Sequence, residues 1–220
     1  MAGRPGRKDE ILATFIRHVA ERGYDQTNLG DIAAELQMSK GTIVHHFGTK
    51  AQILRDLEES YMNRRRGEVD LLWEKLTSPA DRVAAIIYAT ALYQVTDRDA
   101  TIATQREVIQ LADDPEMRKI RGLRAQIQQL VSDEIAAGVE SGVFRRIDPD
   151  VATMLVFGAG QWMWTWFRPG APNTPQSVGA TMVDIVLGGL LADRYGLAEL
   201  ADPDGRVAGF VRDVLEATPQ

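Results

Sequence analysis

Residues 27–50 read TNLGDIAAELQMSKGTIVHHFGTK, and this stretch decides the fold. Leu29, Ile32, Ala33 and Leu36 recur at helical spacing. Thr27 or Asn28 can cap that helix, and Asp31, three residues beyond Asn28, completes a capping pattern. Gln37, Met38 and Ser39 make the turn. A second helix is expected over 40–47, with Ile43 and Phe47 on one face. Two short helices joined by a 3–4-residue turn are the shape that delivers one helix into a DNA major groove.

Working outward, 9–22 has an apolar face of Ile11, Leu12, Phe15, Ile16 and Val19, and Gly23 stops it. A long helix is expected from Thr49 or Lys50 to about Leu76. Its Arg64-Arg65-Arg66 run reads as a solvated face. Further helices are expected over about 80–96, 98–112, 115–141, 149–167, 175–194 and 204–217, and no run alternates as a strand does. The chain is therefore expected to be all-α. A helix-turn-helix head over 1–54 and a helical ligand-binding and dimerisation body over 55–220 are the expected domains.

The 220 residues carry a net charge of −6, which argues against a generic polyanion binder. The charge is unevenly spread: residues 1–50 balance at +1 and the rest at −7. Arg4, Arg7 and Lys8 lie in a Gly- and Pro-containing arm suited to phosphates or a minor groove. The absence of cysteine excludes disulfides and thiol chemistry, and residues 1–10 lack a signal-peptide core. A cytoplasmic location is the expectation. Residues 151–167 are uncharged but short for a membrane span, so a helix buried on all sides is expected there. No metal or cofactor is expected, and His18 reads as structural. An all-helical enzyme is disfavoured, because no His-x-x-x-His pair, cysteine or Gly-rich phosphate loop is present.

At 100° per residue, setting Ile43 and Phe47 inward turns Gly41 and His45 outward, flanked by Thr42 and Val44. His45 and Thr42 suit base edges, and Val44 a thymine methyl. Lys40, His46, Lys50, Thr27 and Asn28 are the remaining candidates for DNA contact, chiefly to phosphates.

The run from Gly23 to Leu54 resembles the head of TetR-family transcriptional regulators. Gly23, Tyr24, Thr27, Ile32, Ala33, Ser39, Gly41, Ile43, His46, Phe47 and Lys50 match that family's pattern in order. Two departures stand out: Val44 replaces a tyrosine that commonly lies on the DNA backbone, and Gln37-Met38 replaces Gly-Val. The resemblance implies a homodimer on double-stranded, pseudo-palindromic operator DNA, released by a small-molecule effector, with 149–167 and 175–194 forming the dimer. Gly158, Gly160, Gly188 and Gly189 would then allow close helix approach. The segment carrying Trp162, Trp166, Phe167, Pro169 and Gly170 is similar to a subset that controls fatty-acid or steroid acyl-CoA catabolism. An acyl-CoA effector follows as an expectation, with Gln105, Arg106, Arg121, Arg124, Trp162 and Trp166 as candidate ligand residues; dimer core is the competing place for the tryptophans. A multidrug-type pocket on the same head, or no ligand, are the alternatives.

Overall fold

The computed structural model describes residues 6–107, 115–168 and 173–218. Twelve α-helices lie within them: α1 (Arg7–Arg22), α2 (Leu29–Glu35), α3 (Lys40–Phe47), α4 (Lys50–Lys75), α5 (Pro79–Thr96), α6 (Arg98–Glu107), α7 (Arg118–Glu140), α8 (Pro149–Gln161), α9 (Met163–Trp166), α10 (Pro175–Leu190), α11 (Leu197–Leu200) and α12 (Arg206–Ala217). A 3-10 turn, Pro115–Met117, precedes α7. The described residues contain no strand, only one isolated bridge between Phe144 and Leu191. The all-α expectation holds. The arm at Arg4, the expected helix residues Val108, Ile109 and Leu111, and the break at Pro169 and Gly170 lie outside the described residues.

The chain forms two compact units. The first comprises 1–63 and 99–122, the second 64–98 and 123–220. The split falls within α4 and returns a segment after α5 to the head, whereas the sequence suggests a simple cut at 54/55. Local periodicity carries no information on such a return, because it is set by contacts distant in sequence.

In the first unit, Ile11, Phe15 and Val19 of α1, Ile32 of α2, Ile43 and Phe47 of α3, and Ile53 and Leu57 of α4 are buried. These are the residues that helical spacing places inward. Gly23 ends α1 with φ +84, a conformation that strains any side chain, and its N–H donates to the Val19 carbonyl at 2.8 Å. His18 is buried and its Nε2 lies 2.9 Å from Glu35 Oε2. The His18 hydrogen bond, and then that from Arg17, hold the Glu35 carboxyl below the usual carboxylate range.

The second unit surrounds α5. Val83, Ala84, Ile87, Tyr88 and Ala91 are buried, and α5 packs against α8, α10 and α12. Gly160 permits close approach of α8: a Cβ there would meet Thr90 Cγ2 at 2.0 Å. The arginine run departs from expectation. Arg66 is paired with Asp70 on the surface, but Arg65 is buried, ion-paired to Glu68 at 3.1 Å and stacked on the Tyr93 ring at 3.8 Å. Arg64 bonds Asp97 at 2.7 Å. Burial pushes the Glu68 carboxyl above its usual range, against the opposing pull of Arg65 and of the Tyr93 hydroxyl, which donates to it at 2.7 Å.

The region 149–167 is not one helix buried on all sides. It breaks at Trp162 into α8 and α9. Ala152, Val156, Gly160, Met163 and Phe167 face inward, while Val151, Met154, Leu155, Trp162 and Trp166 are each at least half exposed. Ile185 of α10 is 69% exposed. An apolar sequence shows that a helix is covered, but not whether its own chain covers it.

The helix-turn-helix and its exposed face

The motif is built from its caps inward. Asn28 caps α2, its side chain accepting from the Gly30 N–H at 2.8 Å. Ser39 caps α3, its hydroxyl accepting from the Thr42 N–H at 3.1 Å. Between the helices, Gln37 has φ +51 and is the one non-glycine residue with positive φ among the described residues. It stands where the family pattern places glycine. A Gln37→Gly variant is expected to be more stable by about 0.5–1 kcal/mol, relief of left-handed strain exceeding the added chain entropy. Denaturant unfolding measures this, and a loss of stability would show that the turn carries no such strain.

Ile43 is fully buried and Phe47 nearly so, leaving Lys40, Gly41, Val44, His45 and His46 exposed and Thr42 partly so. The Thr42 hydroxyl lies 3.0 Å from that of Ser39. The imidazoles of His45 and His46 meet edge to face with centroids 5.7 Å apart. No group of three potential metal ligands occurs among the described residues.

Two candidate phosphate ligands are otherwise engaged. Thr27 is 2% exposed and its hydroxyl donates to the Gly23 carbonyl at 2.9 Å, so its side chain fixes the turn after α1 instead of reaching DNA. The Lys50 ammonium sits 4.1 Å from the centroid of the Tyr24 ring and 3.4 Å from the Asp25 carbonyl. It ties the start of α4 to the α1–α2 turn.

Arg106 also has a partner within the first unit. Its Nη1 donates to the Ala20 carbonyl at 3.1 Å, in the last turn of α1, a cation at the negative end of a helix. The adjacent Glu107, which the sequence does not mark as functional, is buried and accepts the Tyr24 N–H at 2.9 Å. Only its charge next to Arg106 could have drawn attention to it. Of the other ligand candidates, Gln105 and Arg121 are half-buried in the first unit and Arg124 half-buried in the second. Trp162 and Trp166 are 67% and 55% exposed, on the outer face of α8 and α9. A cleft of about 340 Å³ in the second unit is lined by Asp81, Tyr195, Glu199 and Arg206 among others, and by none of the ligand candidates.

Residues 11–57 match the model of the bacterial regulatory proteins of the tetR family, and residues 76–190, more than half of the chain, match the tetracyclin repressor-like C-terminal domain. The chain belongs to the TetR family. Its head is thus the DNA-binding element of a transcriptional regulator. Among its curated relatives, the repressor KstR2 of Mycolicibacterium smegmatis is 27% identical over 189 residues, spanning 84% of this chain and 90% of the relative. KstR2 of Mycobacterium tuberculosis (strain H37Rv) is 28% identical over 188 residues, spanning 84% and 92%. The solved structure of the M. tuberculosis protein, described as a ketosteroid transcriptional regulator, superposes with a TM-score of 0.80 at 26% identity, covering 86% of this chain and 97% of that one. AibR, solved with isovaleryl coenzyme A and operator DNA, shares the fold at a TM-score of 0.75 and 24% identity, over 82% and 97%. These relatives are regulators, and no helix among the described residues is long and apolar enough to cross a membrane.

Proposed function

We propose that this protein is a cytoplasmic homodimeric repressor that binds a pseudo-palindromic operator through α3 and leaves it when a small molecule, an acyl-CoA thioester, occupies the body. The observation that carries the DNA reading is the capped α2–α3 pair, with its apolar side buried and Lys40, Gly41, Thr42, Val44, His45 and His46 set along the other side. The functional division remains that of a head at 1–54 and a body at 55–220. Lys40 and the Asn28 end of α2 suit phosphates, while Thr42, Val44 and His45 suit base edges. Thr27 and Lys50 act as positioning residues for the same surface.

The acyl-CoA reading draws on relatives. AibR was solved with isovaleryl coenzyme A, and the Bacillus subtilis fatty acid metabolism regulator is 24% identical over 186 residues. Gln105, Arg121 and Arg124 remain candidate polar groups for such a ligand, and no catalytic role is assigned to any residue. Ligand and operator must weaken each other's binding by the same factor. A gel shift with DNA from upstream of the protein's own gene tests the head. Specific binding that survives competitor DNA is expected, and its absence across a range of salt concentrations would sink the reading. Adding isovaleryl-CoA or longer acyl-CoAs to the complex should release the DNA; release by cationic drugs instead would assign a multidrug-type pocket.

Val44 bears on affinity directly. It is 44% exposed where the family pattern has a tyrosine. A Val44→Tyr variant restores a hydroxyl donor to phosphate and is expected to tighten operator binding about 5- to 10-fold, a gain of about 1–1.4 kcal/mol. Fluorescence anisotropy measures this, and unchanged affinity would show that other contacts already fill that role.

A further inference from the structure

We propose that His45 and His46 make operator recognition proton-linked, so that each head takes up protons as it binds and affinity rises as pH falls from 8 to 6. This rests on the DNA-binding reading above. Arg17 is paired with Glu35, Arg22 lies 3.8 Å from Asp31, and Lys8 is 3.9 Å from Asp56 while sitting 5.1 Å over the Phe47 ring. Lys50 is held on Tyr24 and the Asp25 carbonyl. On α3 itself the permanent cation is Lys40, at the opposite end from the histidines.

The two imidazoles occupy the last turn of α3, where exposed carbonyls favour a positive charge. Both are solvent-exposed, and the carboxylates that the neighbouring elements supply, Asp31 and Glu35 from α2 and Asp56 from α4, are paired with other cations. Adjacent helical positions point about 100° apart, so the pair spans a wider arc of the groove than one side chain covers. On bound DNA a protonated ring at either position gains a charge-assisted hydrogen bond, His46 to a phosphate and His45 to an acceptor on a base edge. Histidine is the side chain whose charge changes between pH 5 and 8, so DNA binding and protonation must reinforce each other.

The test is simple because the chain holds only three histidines. Operator affinity is measured by anisotropy at constant ionic strength between pH 6 and 8, for the wild type, H45Q, H46Q and the double variant. Wild-type binding should be at least tenfold tighter at pH 6 than at pH 8. The double variant should lose that dependence, and each single variant should lose part of it. His18, buried against Glu35 between α1 and α2, stays in every variant, so a slope that survives in the double variant does not come from His45 or His46. Calorimetry in phosphate and Tris buffers should show proton uptake by the wild type and none by the double variant. Specific binding with a flat pH profile, or a slope that the double variant keeps, would overturn the proposal. Absence of specific binding at every pH would instead overturn the DNA reading, and this inference with it.

Discussion

Replacing Trp162 with Glu is expected to leave a folded monomer that no longer binds its operator tightly. Trp162 is 67% exposed and lies in a strip with Val151, Met154, Leu155 and Trp166, each 50–62% exposed, while Ile185 of α10 is 69% exposed. A Cβ added to Gly158 of α8 or Gly189 of α10 would meet no atom within 4 Å, so both helices also keep open backbone on the exposed side. A contiguous apolar strip of this kind on a protein surface marks an interface. In a two-fold dimer each change acts twice. Loss of a central aromatic anchor costs about 2–4 kcal/mol per copy, which weakens association roughly 10³-fold or more. A lone head then meets a half-site without its partner one helical turn, about 34–36 Å, away. Sedimentation and gel shift read the two effects separately. A Trp162→Glu protein that is still dimeric at micromolar concentration would place the interface elsewhere. A helical circular dichroism spectrum like that of the wild type is expected, because the inward residues Met163 and Phe167 are untouched.

The second large effect is expected at Glu107. Leucine there removes the acceptor for the Tyr24 N–H in a buried setting, where an unmet donor costs about 1–3 kcal/mol. The consequence extends beyond stability. Tyr24 carries the Lys50 ammonium on its ring, and Thr27, three residues on, donates its backbone N–H to the Tyr24 carbonyl at 3.0 Å. The turn that Glu107 fixes therefore sets where α2 begins. Operator affinity is expected to fall at least tenfold in Glu107→Leu, with the salt dependence unchanged because no phosphate contact is lost. Glu107→Gln keeps a carbonyl oxygen for the bond and should recover most of the affinity. Hydrogen exchange at the Tyr24 amide checks the cause. Wild-type protection and wild-type affinity in the leucine variant would show that this bond positions nothing.

Much of the fold is legible in the sequence because the head is governed by local rules. Ile43 and Phe47 at i and i+4, a cap at Asn28, and Gly23 past the end of α1 are each readable from neighbours, and each sits as that spacing implies. The departures involve partners that spacing does not reveal, most of them far away in sequence. Thr27 reads as a phosphate donor, but its hydroxyl is spent on Gly23, one turn back. Arg106 reads as a ligand group, yet its partner Ala20 is 86 positions distant. Arg65 reads as part of a solvated run, whereas Glu68, Asp97 and Tyr93 enclose it. Trp162 and Trp166 divide between pocket and interface on sequence, and only the inward turn of Met163 and Phe167 shows which side of the segment its own chain covers.

The packing of α12 on α5 also governs when the protein can finish folding. Val207, Val211, Val214 and Leu215 are buried, Arg206 bonds Asp81 across 125 residues, and the Tyr88 hydroxyl reaches the Leu200 and Asp202 carbonyls. During synthesis α5 therefore leaves the ribosome more than a hundred residues before α12 does, a delay of roughly 5–20 s at ordinary elongation rates. The α1–α3 contacts close over short loops and can form in that interval. A message cut short before α12 would thus yield a head able to fold beside a body whose central helix lacks one of its covering helices, a product open to proteolysis before it could compete for the operator.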